Sequence, residues 1–192
     1  ILMLTDRITC ACATHVIPEG EGVKADLLNN RITCKPLRVL GHGNVNGVDL
    51  SRFDPENPEV TAATVALRRP DVFTFVFVGR LVSDKGINEL VDAFRRLNAE
   101  FPATRLLLVG PEEPELDPLR PETRAEIARN DAIQAVGRQP DVRPYYAAAD
   151  ALVFPSYREG FPNVVIEAGA MGLPSIVTDI NGSREIILEG RN

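Results

Sequence analysis

The chain has 192 residues, of which 44% are hydrophobic and 25% charged, with a net charge of −6. Such a composition builds a soluble globular core, and no apolar run reaches the ~18–20 residues of a membrane-spanning helix. Its Lys and Arg are scattered rather than striped, so no nucleic-acid partner is expected.

The opening ILMLTDRITCACATH carries no basic leader before an apolar core, so no secretory signal is read; it starts on Ile rather than Met, as a piece of a longer protein would. Cys10, Cys12 and Cys34 are a sparse, odd set, which argues against a disulfide framework and for a reducing compartment. With His15 they could be drawn as a zinc site. However, C-x-C-x2-H is not a usual spacing and the closing pair is missing, so buried or half-buried thiols and no metal are expected. Residues 1–35 show no clear period beyond a helical turn or two at KADLLNN, and PLRVL (36–40) reads as one short strand. GHGNVNGVDLSRFDPENPEV (41–60) is rich in Gly, Asn and Pro and reads as a loop or linker. Its GHGNVNG resembles a dinucleotide fingerprint, but the third Gly falls one position late and no helix pattern follows, so a turn is expected.

From residue 60 onward the pattern changes. Apolar runs at 72–79, 105–110, 132–137, 151–156 and 174–179 read as buried strands. Helical stretches at 87–97, 119–129, 142–149, 163–172 and 183–190 separate or follow them, and in 87–97 Ile87, Leu90, Val91, Phe94 and Leu97 share one face. Strands that are apolar throughout, each followed by a helix, predict a doubly wound parallel sheet of Rossmann type. Gly79, Gly110 and Gly137 then close strands at the carboxyl edge, where such sheets bind ligands.

Two stretches carry candidate chemistry. In VGRLVSDKG (78–86), Arg80 follows the strand-ending Gly79, and Lys85 stands just before a helix. Two cations and a helix N-terminus can make a diphosphate-sized anion site; a solvated Arg and Lys flanking a loop fit the same residues. In SYREGFPNVVIEAGAMGLP (156–174), Glu159 and Glu167 stand eight apart around Gly160, Phe161, Pro162 and Asn163. Asn163 is the expected N-cap, and the free amides of 160–164 would point outward where the helix dipole favours an anion. Carboxylates accept two hydrogen bonds from a vicinal diol, so Glu167 suits ribose hydroxyls and Glu159 hexose hydroxyls. A capped helix with an acid in its first turns is the competing explanation. Gly169 stands mid-helix, where a helix former would be worth ~1 kcal/mol more, so close packing is expected there.

VGRLVSDKGINELVDAF and SYREGFPNVVIEAGAMGLPSIVTDINGSREII closely resemble the retaining GT-B glycosyltransferases that use nucleotide-sugar donors, over roughly residues 36–192. The Glu-x7-Glu pattern enclosing GFPN is the most specific element. NGVDLSRFDP (46–55) looks like that family's entry into the donor-binding domain. The resemblance implies that residues 1–45 are the tail of an incomplete acceptor domain, 46–60 a linker, and 61–192 the donor-binding, C-terminal half of a GT-B fold, itself cut short. It implies that Arg80 and Lys85 hold the donor diphosphate, that Gly79 adjoins them, and that Glu159 with the amides of Gly160, Phe161, Asn163 and Val164 addresses the transferred sugar and phosphate. Glu167 would bind ribose, and Gly137 and Arg138 would lie near the base. Arg80, Lys85 and Glu159 are the catalytic candidates. No metal or cofactor is implied, since cationic side chains and helix amides replace it. The implied activity is transfer of a sugar from a nucleotide-diphosphate sugar to a sugar or lipid-linked acceptor, in polysaccharide or glycoconjugate biosynthesis. The implied location is the cytoplasm, with the full-length protein associating peripherally with the inner face of the membrane. The acceptor would be held by the absent N-terminal domain, so the 192 residues alone are expected to transfer nothing. A GT-B-like sugar-nucleotide epimerase or a phosphorylase is an alternative enzyme reading; the epimerase would bring different acids and a His in this half, whereas the two His stand at 15 and 42. A non-catalytic nucleotide-binding module is the remaining alternative.

Overall fold

The computed structural model describes residues 2–44 and 46–192. Val45, inside the Gly- and Asn-rich stretch, and Ile1, at the head of the chain, lie outside the described residues. In chain order the elements are α1 (Leu2–Cys12), α2 (Glu21–Asn29), α3 (Pro58–Thr64), β1 (Phe73–Val78), α4 (Ile87–Glu100), β2 (Thr104–Val109), α5 (Pro121–Arg129), β3 (Ile133–Gly137), α6 (Arg143–Ala147), β4 (Ala151–Phe154), α7 (Asn163–Ala170), β5 (Ser175–Val177) and α8 (Ser183–Ile186). A single 3₁₀ turn, Ser83–Lys85, precedes α4.

The five strands form one parallel sheet in the order β3-β2-β1-β4-β5. The chain steps from β1 outward to β3, then returns to lay β4 beside β1. Right-handed crossovers place the helices of the two halves on opposite faces, and the reversal opens a crevice at the carboxyl ends of β1 and β4. This is the doubly wound architecture expected. All six residues of β2 are buried, as a strand covered on both faces requires. The core joins Phe77, Leu107, Leu152 and Val165 to Ile87, Val91 and Phe94 on the apolar face of α4.

Several expectations change in detail. Residues 1–35 hold two helices. Met3, Leu4 and Ile8 of α1 are exposed and α2 buries no residue, so neither shows the one-sided pattern by which a helix is recognised. The 36–40 strand reduces to a single parallel bridge between Val16 and Leu37. β4 stops at Phe154 because Pro155 has no N–H to give a ladder. α8 covers only Ser183–Ile186 rather than 183–190. α3 begins within the Pro-rich stretch, with Asn57 Oδ1 accepting from the Glu59 amide at 3.0 Å, and buries Val60 in the core. Of the three thiols Cys10 is buried, but Cys12, at the end of α1, and Cys34, on the irregular chain after α2, are exposed. Gly169 is not closely packed: a Cβ there would meet nothing within 4 Å. No helix among the described residues is long and apolar enough to cross a membrane.

Candidate functional site

The ends of β1 and β4 are pressed together by two loops. After β1 the chain turns through Ser83–Lys85 into Gly86, at φ +72°. A Cβ on Gly86 would stand 2.2 Å from the Pro155 carbonyl oxygen, so only glycine lets this loop lie against the chain leaving β4. The Tyr157 amide donates to the Asp84 carbonyl at 3.0 Å. The Arg158 guanidinium bonds both Asp84 carboxylate oxygens at 3.2 Å, and the Asp84 amide donates to Asp117 Oδ2 at 2.6 Å.

This contact brings Lys85 Nζ onto Glu159 Oε1 in a direct ion pair, with the two side chains only 17% and 13% exposed. Lys85 Nζ also lies 5.5 Å from the centre of the Phe154 ring. Arg80 stands on the same edge, but its guanidinium is half exposed and bonded to Glu113 at 2.8 Å. That hydrogen bond and the charge behind it push the Arg80 pKa up, so Arg80 is a permanent cation.

Asn163 opens α7 rather than capping it. Pro162, at φ −72° and ψ 114°, occupies the N-cap position, and Asn163 Oδ1 accepts from Asn44 Nδ2 at 2.5 Å instead. The amides of Gly160, Phe161, Asn163 and Val164 have no acceptor among the described residues. The helix mouth therefore offers donors without using them internally.

Glu167 lies one turn further along α7 and has a different partner from Glu159. Its Oε2 accepts from the Tyr146 hydroxyl of α6 at 3.0 Å. Burial pushes the Glu167 pKa above the ordinary carboxylate value, while the Tyr146 hydrogen bond and the charge of Arg52 oppose the rise. The two acids thus have different partners, one a cation and one a phenol. Gly137 ends β3 at φ +67° on the same sheet edge. Arg138 is exposed, and among the described residues no hydrogen bond or ion pair ties it to the other candidates. Gly79 directly follows β1, its amide donating to the Val109 carbonyl at 2.9 Å.

The structure adds residues that no local pattern announces. The Glu19 carboxylate lies so close to Gly160 that a Cβ there would stand 1.8 Å from Glu19 Oε2. Asn44 donates to the Phe161 carbonyl at 3.2 Å as well as to Asn163. Glu185 accepts from the amides of Glu21 and Gly22 at 2.7 and 3.0 Å, capping α2 from across the crevice. Asn181 Nδ2 reaches Asp26 at 2.6 Å. The leading segment is thereby seated over the loop 159–163 by polar contacts, with a pocket of about 370 Å³ between Asp26, Glu159, Asn181 and Arg184. Among the described residues no cluster of three or more His, Cys, Asp or Glu side chains could hold a metal ion.

Residues 72–192 match the family described as "Glycosyl transferases group 1". The chain is 30% identical over 191 residues to the capsular polysaccharide biosynthesis glycosyltransferase CapM of Staphylococcus aureus, covering 99% of this chain and 50% of that one. It is also 30% identical over 146 residues to the UDP-Gal:alpha-D-GlcNAc-diphosphoundecaprenol alpha-1,3-galactosyltransferase of Escherichia coli, covering 74% and 37%. Among solved structures it resembles Anabaena HepE in complex with UDP, with a TM-score of 0.84, 21% identity and coverage of 100% and 53%. It also resembles the sucrose-phosphate synthase of Thermosynechococcus elongatus, with a TM-score of 0.74, 30% identity and coverage of 94% and 44%. The chain spans about half, or less, of the length of these relatives. The likeness makes the sheet the Rossmann-like half of a GT-B fold, as expected from the strand and helix pattern and the resemblance. The chain belongs to the group 1 glycosyl transferases.

Proposed function

We propose that this chain supplies the donor site of a retaining glycosyltransferase, which moves a hexose-type residue from a nucleotide-diphosphate sugar to an acceptor in polysaccharide or glycoconjugate assembly. The observation that carries this reading is the meeting of Lys85 and Glu159 at the β1/β4 reversal, beside the unused amides of α7. An anionic diphosphate entering there competes with Glu159 for Lys85 and gains the amides and the helix dipole. The chemistry is displacement at the anomeric carbon through an oxocarbenium-like transition state. The bond to the diphosphate oxygen breaks, its electron pair leaves with the diphosphate, and Lys85 and Arg80 neutralise the charge that develops. On this reading no metal is required. Glu159, released from Lys85, accepts from sugar hydroxyls, and Glu167 accepts from the ribose. Gly137 and Arg138 lie toward the base, and Gly79 adjoins the diphosphate.

The names of the relatives support a polysaccharide role, and one of them specifies a UDP-sugar donor and a lipid diphosphate acceptor. We extend this to a sugar or lipid-linked acceptor held outside the described sheet, on a cytoplasmic protein that works at the membrane's inner face. Alone, the 192 residues are expected to bind donor without transferring sugar. The test is thermal unfolding of this chain with UDP, GDP and ADP. A ligand at 100 times its Kd adds ~2.7 kcal/mol of stability. The expected result is stabilisation by one diphosphate that Lys85→Ala abolishes; no response to any of the three overturns the reading. Donor turnover in the presence of an acceptor domain separates a transferase from a module that only binds.

A further inference from the structure

We propose that Tyr146 is a positioning residue for the ribose-binding carboxylate, its hydroxyl pinning one oxygen of Glu167 so that the other faces the nucleotide. The inference rests on the assignment of Glu167 to ribose made above.

Tyr146 is 1% exposed and packed into the core. It stands on α6, a helix of one and a half turns with little stability of its own. That helix is fastened at its start by Arg143, which bonds Asp141, and by the Thr64 hydroxyl on the Pro144 carbonyl at 3.4 Å. The ring therefore has one place to be, and its hydroxyl is a fixed donor. The hydroxyl reaches Glu167 Oε2 at 3.0 Å and the Val164 carbonyl only at 3.4 Å. Glu167 Oε1 accepts nothing from the described residues and is not sealed from solvent. A carboxylate held by one oxygen presents the other in a set direction, which removes the ordering cost of binding. The dependence runs from Glu167 to Tyr146, because an ionised carboxylate half-buried without a donor costs far more than a phenol without an acceptor.

The test compares binding of UDP, GDP and ADP with their 2′,3′-dideoxy analogues to the 192-residue chain and to Tyr146→Phe. Wild type should prefer the ribonucleotide by about tenfold, as a hydrogen bond to a charged group implies. Tyr146→Phe should lose most of that preference while its affinity for the dideoxy analogue stays unchanged. The groups that face Glu167 are Tyr146 from α6 and Arg52 from the loop before α3, and both favour the charged form. Removing the hydroxyl should therefore shift the acid limb of ribonucleotide binding to higher pH. Should Tyr146→Phe not fold, replacing tyrosine by 3-fluorotyrosine makes a stronger donor in place and should shift that limb to lower pH. A wild type that binds none of the three, or prefers none over its dideoxy form, overturns the ribose assignment and this inference together. A preference that survives in Tyr146→Phe, affinities that fall equally for both ligands, or an unmoved acid limb overturns the positioning role alone.

Discussion

Lys85 and Glu159 stand 74 residues apart in the chain and meet as a largely buried ion pair where β1 and β4 end. Neither loop could hold its charge out of water alone, so each depends on the other's placement. Lys85→Ala leaves Glu159 without its cation. We expect a loss of about 1–3 kcal/mol in stability, between the values for exposed and buried pairs. On the proposed function, sugar transfer should fall well over tenfold; an unchanged rate would remove Lys85 from the proposed mechanism. Adding Glu159→Gln should recover part of the stability and none of the turnover.

Arg80 is held by Glu113 in an exposed pair, worth little to the fold. Glu113→Gln should leave the unfolding temperature nearly unchanged and free Arg80 for a phosphate. Calorimetric titration should then show diphosphate affinity rising about two- to fivefold. Weaker binding would place Glu113 on the ligand's side.

Two glycines should respond in opposite directions. Gly169 is in the last turn of α7, with open space around an added Cβ, so Gly169→Ala should stabilise by about 0.5 kcal/mol in chemical denaturation, at the low end of the helix-interior preference. Gly182 has φ +75°, and a Cβ there would stand 2.4 Å from the Gly160 carbonyl oxygen. Gly182→Ala should destabilise by about 2–4 kcal/mol and weaken nucleotide binding, because backbone on both sides must shift.

The raised pKa of Glu167 sets the sign of a pH effect. The unfolded chain gives up this proton at lower pH than the folded one does. The folded state is therefore penalised once pH rises above the folded value and relieved below the unfolded one. Glu167→Gln should raise the unfolding temperature at neutral pH, and the gain should shrink to nothing as pH falls past the ordinary carboxylate value. A gain that persists at acid pH would assign the effect to packing. The same variant should lose its preference for ribonucleotides.

Much of the sheet was legible because its signals are local. The β-branched and aromatic run of β1, the one-sided apolar face of α4 and the closing glycines are read within a few residues. The leading segment was not legible. α1 and α2 bury too little to show a period, and what seats them is side-chain bonding to distant backbone, as Glu185 does for α2. Asn163 was expected as a cap on good local grounds, yet Asn44 claims its side chain from 119 residues away. The exposure of Cys12 depends likewise on which side of α1 finds a neighbour.

From the sequence alone, hydrophobic period and turn chemistry determined that this is a parallel, doubly wound sheet with its candidate cations and Glu159 on loops after strands and Glu167 in the helix that follows. Which of those charges meet was decided only in three dimensions. The return of β4 to the side of β1 joins Lys85 to Glu159, and the hydroxyl of Tyr146 on α6 gives Glu167 on α7 a phenol for a partner. Periodicity is carried by neighbours along the chain, whereas a side-chain pair across a crossover exists only once the sheet order is set.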